Sequence, residues 1–313
     1  MLHTPLFYDS ASAAKHIVPA GGIPFTENGD PMNNERKAIL EMLAAALLWS
    51  TAGIVMKLIP WNGFALAGVR GLIAGLTMFV FMRLRRCRYV FNRKTLITGF
   101  FSACTYISFA VANKLTTAAN AIVMQFTASV FILIYSAIFF HRKIRRQDLA
   151  VVVCTMFGIA LFFLDQLSPG YFLGNIVGIA SGMFMAAMYV AVGEINEEER
   201  FSGILNGHFF TFLAGLPFFL LTRPLLNATT IGAILFLGVF QLGISYVFYV
   251  KANAFCPPLA CCLLSAAEPL LNPVWVAIFD GEKPGVFALI GAVIVIASIT
   301  VWSIFGQEKK EES

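Results

Sequence analysis

Charge is what this chain of 313 residues has least of. Only 12% of it is Asp, Glu, Lys or Arg, against 58% hydrophobic residues, and its mean hydropathy is +0.79. A soluble globular protein carries about 25% charged residues, so this chain lacks the polar surface to face water on every side. Motifs for several kinds of chemistry are missing too. There is no Walker A loop, which excludes built-in ATP hydrolysis of that type. Neither HExxH nor GxSxG occurs, which removes the simplest readings as an intramembrane hydrolase. The six cysteines include no CxxC pair, so neither a disulfide framework nor a zinc site is written in them.

What the chain does have is long apolar runs. Runs of about 20 residues with few charges read as membrane-spanning helices. Ten occur, at roughly 37–57, 64–82, 95–113, 117–140, 147–164, 171–193, 201–221, 228–250, 257–279 and 285–305, with short connectors. The expected fold class is therefore all-α: a polytopic membrane protein of ten transmembrane helices. Residues 1–36 hold scattered Pro and Gly without a helical period and read as a flexible cytoplasmic tail; MNNERK leaves Met32 as open a start as Met1. Residues 307–313 read as a second solvated tail. Cys104 and Cys154 fall within spans and Cys87 in a connector, while Cys256, Cys261 and Cys262 gather at a helix start with no His or acid at metal-binding spacing. No metal or other cofactor is expected.

Basic residues orient the chain. With the N-terminus inside, Arg36 and Lys37, the connectors around RLRRCR and HRKIRR, Arg200, Lys251 and the tail lysines place sixteen Lys and Arg on the inner side, against Lys57, Lys114, Arg223 and Lys283 outside. That bias sets topology and puts both termini in the cytoplasm. RLRRCR by itself could suggest nucleic acid or anionic lipid, but an inward-facing loop accounts for it, and no nucleic-acid partner is expected.

Sliding the chain against itself by 140 residues reveals a repeat. TYISFAVAN (105–113) falls on SYVFYVKAN (245–253), pairing Tyr106 with Tyr246, and AIFFHRK (137–143) falls on AIFDGEK (277–283). The chain thus divides into residues 37–165 and 171–306. Each half has five spans, an odd number, so the second half must enter the membrane from the opposite side. Inverted repeats of this kind characterise secondary transporters, whose substrate site lies near the midplane where the repeats meet.

LLWSTAGIVMK, AGVRGLIAGL, TTAANAIVMQFTASVFILIYSAIFF and LLSAAEPLLNPVWVAIFDGEK resemble segments of the drug/metabolite transporter superfamily, EamA type, and the resemblance spans residues 37–306. It implies an integral membrane carrier, as in a bacterial inner membrane, that moves a small metabolite, amino-acid-like or otherwise polar or amphipathic, by alternating access. A proton gradient is a common drive in such proteins. Its partners are then a small-molecule substrate, the lipid bilayer and, where coupled, protons. The resemblance implies no enzyme activity and no oligomeric state. A passive channel or facilitator is the rival reading, and a membrane-embedded enzyme a weaker one, since it lacks a reactive pair.

Within SAAEPLLNP the residues Ser265, Glu268 and Asn272 share one helical face, and Pro269 and Pro273 free backbone carbonyls beside them. A carboxylate inside a bilayer costs roughly 2.5–3.5 kcal/mol on insertion scales and faces a partner or a wet cavity. The repeat aligns Gln125 with Ser265, and Ser129 adds a hydroxyl on the same face. Two readings of Glu268 stay open: it binds a substrate amine or a coupling proton, or it anchors a Glu-Pro kink through Arg70 or His208. Arg70, which matches the arginine usual in the resembled family, and its approximate counterpart His208 are candidate gates or charge partners. Trp49, Tyr106 and Tyr246 are expected at a cavity, whereas Tyr135, Tyr189, Tyr249 and Trp275 divide evenly between cavity and packing. Gly174, Gly178 and Gly182 recur every four residues and mark a helix–helix seam.

Overall fold

The structure, a computed structural model, describes residues 31–162, 164, 170–271 and 285–307. Among them there is helix and no strand. That follows from the composition, because in hydrocarbon a backbone has no water to bond and a helix satisfies its own N–H and C=O groups. The first span is α1 (Pro31–Trp49) and α2 (Ala52–Lys57), interrupted at residues 50–51. α3 (Gly63–Leu84) and α4 (Arg93–Leu115) follow unbroken. α5 (Ala118–Gln125) and α6 (Ala128–Phe140) form a fourth span broken at 126–127, and α7 (Arg146–Phe162) ends the first half. The second half opens with α8 (Phe172–Gly193) and α9 (Glu197–Thr222). Next comes one span made of α10 (Ala228–Phe236), a π-helical stretch (Leu237–Ile244) and α11 (Ser245–Ala252). α12 (Pro258–Leu264) breaks at 265–266 and resumes over 267–271, and α13 (Val286–Gln307) closes the described chain.

By length and composition α3, α4, Asn120–Phe140, α8, α9 and Ala228–Ala252 can each cross a membrane, and Pro258–Leu271 and Val286–Trp302 are shorter apolar helices. The protein is a polytopic helical membrane protein. α1 begins at Pro31, ahead of the expected start at 37, so residues 31–36 are helical rather than tail. Residues 1–30, the end of the C-terminal tail, Asn272, Trp275 and most of DGEKPG lie outside the described residues.

The repeat is visible in how helices begin. Asn62 and Asn196 cap the second span of each half, and Asn92 and Asn227 cap the third. Three of these are capping boxes, closed by Thr95, Glu199 and Thr230.

Inversion is visible in how equivalent helices meet. Along α3 and α9, Phe64 stacks on Phe218, Gly68 meets Gly215, Gly75 faces His208 and Phe81 packs on Phe201. Residue numbers rise on one helix as they fall on the other, so these second spans run antiparallel. The fifth spans do the same: Gly158 of α7 lies against Gly291, Ile294 and Val295 of α13, while Trp302 donates to Asp148 at 2.9 Å. Helices that are equivalent in a repeat and antiparallel in space define an inverted repeat. The crossings are close because glycine makes them so. A Cβ on Gly68 would sit 2.8 Å from the Gly215 Cα. Large apolar side chains such as Leu76, Phe79, Phe157 and Leu221 cover the outside, where lipid belongs. Hydroxyls turned inward bond their own helix, as Ser102 does to the Thr98 carbonyl at 2.8 Å and Thr105 to Phe101 at 2.8 Å.

Candidate functional site

Four irregular points in the helices fall at one place. The breaks in the first, fourth and ninth spans carry serine or threonine, whose hydroxyls donate three residues back. Ser50 bonds the Leu47 carbonyl (2.6 Å), Thr127 that of Met124 (2.6 Å) and Ser265 that of Cys262 (2.7 Å). At Leu47 and Cys262 they satisfy carbonyls that the break would otherwise strand, while the Met124 carbonyl also accepts from the Thr127 N–H at 3.2 Å. The fourth irregularity is the π-helical stretch, a geometry that recurs at functional sites. Trp49, Gln125, Ser265 and Glu268 stand at the breaks, Gln241 stands in the π-helical stretch, and all five line one cavity.

The cavity lies between the halves. Trp49, Arg70, Thr105, Tyr106, Phe109 and Gln125 enter from the first; Met185, Tyr189, Gln241, Leu242, Tyr246, Ser265 and Glu268 enter from the second. Tyr106 and Tyr246, equivalent in the repeat, meet edge to face with ring centroids 5.0 Å apart, so the symmetry axis passes between them. Trp49 packs on Tyr246 at 5.2 Å and on Tyr249 at 5.8 Å, completing an aromatic wall. The cavity volume is about 50 Å³. One water needs roughly 10–15 Å³ on that measure, so there is room for a few waters and not for a metabolite.

Its polar groups are sparsely partnered. Arg70, 1% exposed, donates from Nη1 to Gln241 Oε1 at 3.3 Å and lies 3.7 Å from Met56 Sδ. Arg70 Nε and Trp49 Nε1 find no acceptor among the described residues. Gln125 Nε2 donates to Ser181 Oγ at 2.9 Å, which ties the fourth span to α8. Ion pairs among the described residues join Arg142 to Glu194 and Lys251 to Glu41, and no basic group among them pairs with Glu268. In this conformation Glu268 and Arg70 face the same cavity without touching.

Of the residues singled out by sequence, the structure gathers Trp49, Arg70, Tyr106, Gln125, Tyr246, Ser265 and Glu268 around the cavity. Ser129 is buried with its hydroxyl on the Phe126 carbonyl (3.0 Å) and does not line it. His208 lies behind the wall, stacked on Tyr106 at 5.0 Å, and neither ring nitrogen has a partner among the described residues. Asn272 lies outside the described residues. Gly174, Gly178 and Gly182 face the end of α4 and the fourth span, where an added Cβ would come within 2.6 Å of Thr116 Cβ, 2.8 Å of Met124 Cβ and 2.5 Å of Thr127 Oγ1. Gln241 was not singled out. An amide in the middle of an apolar run was the available signal.

Residues 36–164 and 172–304 each match the EamA-like transporter family. A protein of Archaeoglobus fulgidus described as an uncharacterized transporter is 27% identical over 205 residues, covering 60% of this chain and 68% of its own. A solved crystal structure aligns with TM-score 0.71 at 18% identity, over 87% of this chain and 99% of its own, a likeness of fold.

Proposed function

Because the chain belongs to the EamA-like transporter family, we propose that it is a secondary carrier. It moves a small zwitterionic or amphipathic metabolite, amino-acid-like in size and chemistry, by alternating access and with a proton gradient as its drive. One observation carries the reading: a carboxylate from one half and a guanidinium from the other line one cavity with no ion pair between them. Each charge is costly inside a bilayer. A ligand bearing both an amine and a carboxylate offsets both costs together, its amine on Glu268 and its carboxylate on Arg70, which Gln241 orients. Trp49, Tyr106 and Tyr246 supply an apolar wall for the rest of the solute. With no solute bound, Glu268 is the group free to exchange a proton.

The cavity is too small for such a solute as it stands, so the halves must part to admit one. The helix breaks beside it are where that motion is absorbed. The carrier sits in a plasma membrane, of the bacterial inner type, with both termini on the basic, cytoplasmic side. The solute crosses chemically unchanged.

The test is counterflow in proteoliposomes, screening a metabolite library against a preloaded solute. Saturable exchange of compounds carrying both charges, together with accumulation under an imposed proton gradient, is the expected result. Flux that never saturates and ignores the gradient would make the protein a facilitator. Conversion of the solute would make it an enzyme.

A further inference from the structure

A second cavity, of about 340 Å³, lies outside the central one, between α3 and α9 on the surface that faces lipid. At its floor lie Gly71 and Gly75, against which His208 and Thr211 of α9 close in. Its walls are Leu72, Leu76 and Phe79 on one side and Leu205, Phe209 and Phe212 on the other. These walls follow the helical period, and the next position on the α3 stripe after Phe79 is Arg83. From Gly71 to Phe79 the trough runs about 12 Å, against roughly 15 Å for the hydrocarbon of one leaflet.

One end of the trough is unlike the other. There Tyr89 caps it, half exposed, its hydroxyl donating to Asn206 Oδ1 at 2.6 Å. Around Tyr89, the last turn of α3 carries Arg83 and the connector Arg85, Arg86 and Arg88, all exposed. Arg85 lies over the Phe81 ring at 5.8 Å. The facing acids are the exposed Glu197 and Glu198 and the buried Glu199; Glu198 accepts from the Arg88 backbone N–H at 3.4 Å and Glu199 from the Asn92 side chain at 2.7 Å. No acid among the described residues ion-pairs with the arginine side chains, which leaves the mouth net positive. An apolar slot of leaflet length, with an aromatic and unpaired arginines at its water end, has the chemistry of one lipid.

We infer that the α3–α9 trough holds an anionic phospholipid of the leaflet facing the α3–α4 connector, one acyl chain in the slot and the phosphate on the arginine rim. A positive loop alone explains orientation and predicts no slot. The slot alone accepts any chain and predicts no charge preference. The two together select for lipid charge at a fixed place, directly behind His208, whose backbone and Cβ lie against Gly71 and Gly75.

Native mass spectrometry of the full chain in detergent tests this with three probes: dioleoyl phosphatidylglycerol, dioleoyl phosphatidylcholine and glycerol 3-phosphate. The expected order is phosphatidylglycerol retained about tenfold better than phosphatidylcholine, with glycerol 3-phosphate not retained. Leu76→Trp, which fills the slot from an exposed position, should abolish that retention. Arg83→Gln with Arg86→Gln should bring the two lipids level while both still bind. Equal retention of the two lipids by the unaltered protein would overturn the proposal without recourse to any variant. So would glycerol 3-phosphate binding as well as the lipid, or undiminished phosphatidylglycerol retention by a folded Leu76→Trp protein.

Discussion

The fourth and ninth spans are one device built twice. Both break within one residue of the same place in the repeat, both carry a hydroxyl that donates to the carbonyl three residues back, and both turn a polar side chain, Gln125 or Ser265, into the same cavity. The halves part company three residues later, where the second carries Glu268-Pro269 and the first Ala128-Ser129. Ala128 is fully buried and Ser129 is spent on its own backbone, while Glu268 lines the cavity. The scaffold is symmetric and its charge is not. Folding is thus shared between the halves, whereas any proton chemistry on a carboxylate at this level belongs to one of them.

The largest expected effect breaks the shared scaffold. Gly215→Leu drives a side chain into the Gly68 backbone at the crossing of the two second spans, and the protein should fail to fold. Gly232→Ala, at a glycine with nothing within 4 Å, should be silent. Yield and monodispersity in detergent read both. Gly178→Leu belongs with the severe class, because it meets Met124 across the seam; full activity there would contradict the packing.

The two halves also differ in which side of the membrane their equivalent loops face. In a cysteine-free background an impermeant reagent applied outside should label a cysteine at Gly281 and leave one at His141 unmodified. Labelling of both from one side would contradict the inversion. The equivalent polar positions come after that. Gln125→Ala removes the donor to Ser181 Oγ, which keeps a 3.5 Å bond to the Thr105 carbonyl, and should cost about 1–3 kcal/mol of stability. Ser265→Ala removes a local bond and should cost about 1 kcal/mol or less. A thermal shift series orders the two.

The smallest effect is local. The Cys87 thiol, half-buried beside Glu198 and Glu197, is pushed up to about 11, chiefly by its burial. A raised thiol stays protonated at neutral pH, so alkylation of Cys87 at pH 7 should run on the order of 100-fold slower than that of a free thiol and accelerate as pH rises. An ordinary rate would show the connector open to water.

Much of this was legible in the sequence because it is written in composition and repetition. Low charge density dictates helices in lipid, and an odd number of spans per repeat dictates inversion. The offset pairs Tyr106 with Tyr246, and these two rings meet at the centre of the structure. Glu268, Gln125 and Ser265 stood out because polar groups are rare in such runs. Rotation about a helix axis was not legible. A helix that is apolar all round has no face to read, so the repeat points Ser129 at a cavity it does not line and gives no sign that His208 lies behind Tyr106. Gln241 reaches Arg70 from a π-helical stretch, and no residue type in Leu237–Ile244 announces that register. The breaks at residues 50–51 and 126–127 contain neither Gly nor Pro, so they too were silent.

Proton coupling in this carrier turns on one carboxyl group. Glu268→Gln keeps its shape and polarity and removes its proton. Reconstituted beside the unaltered protein, the variant should match it in thermal stability, show counterflow that saturates only at higher solute concentration because the amine has lost its carboxylate, and lose accumulation under an imposed proton gradient. Arg70→Gln alone and with Glu268→Gln separates a positioning role from a structural pair, since a pair would make the double variant more stable than either single one. Undiminished gradient-driven accumulation by a stable Glu268→Gln protein would contradict the central claim.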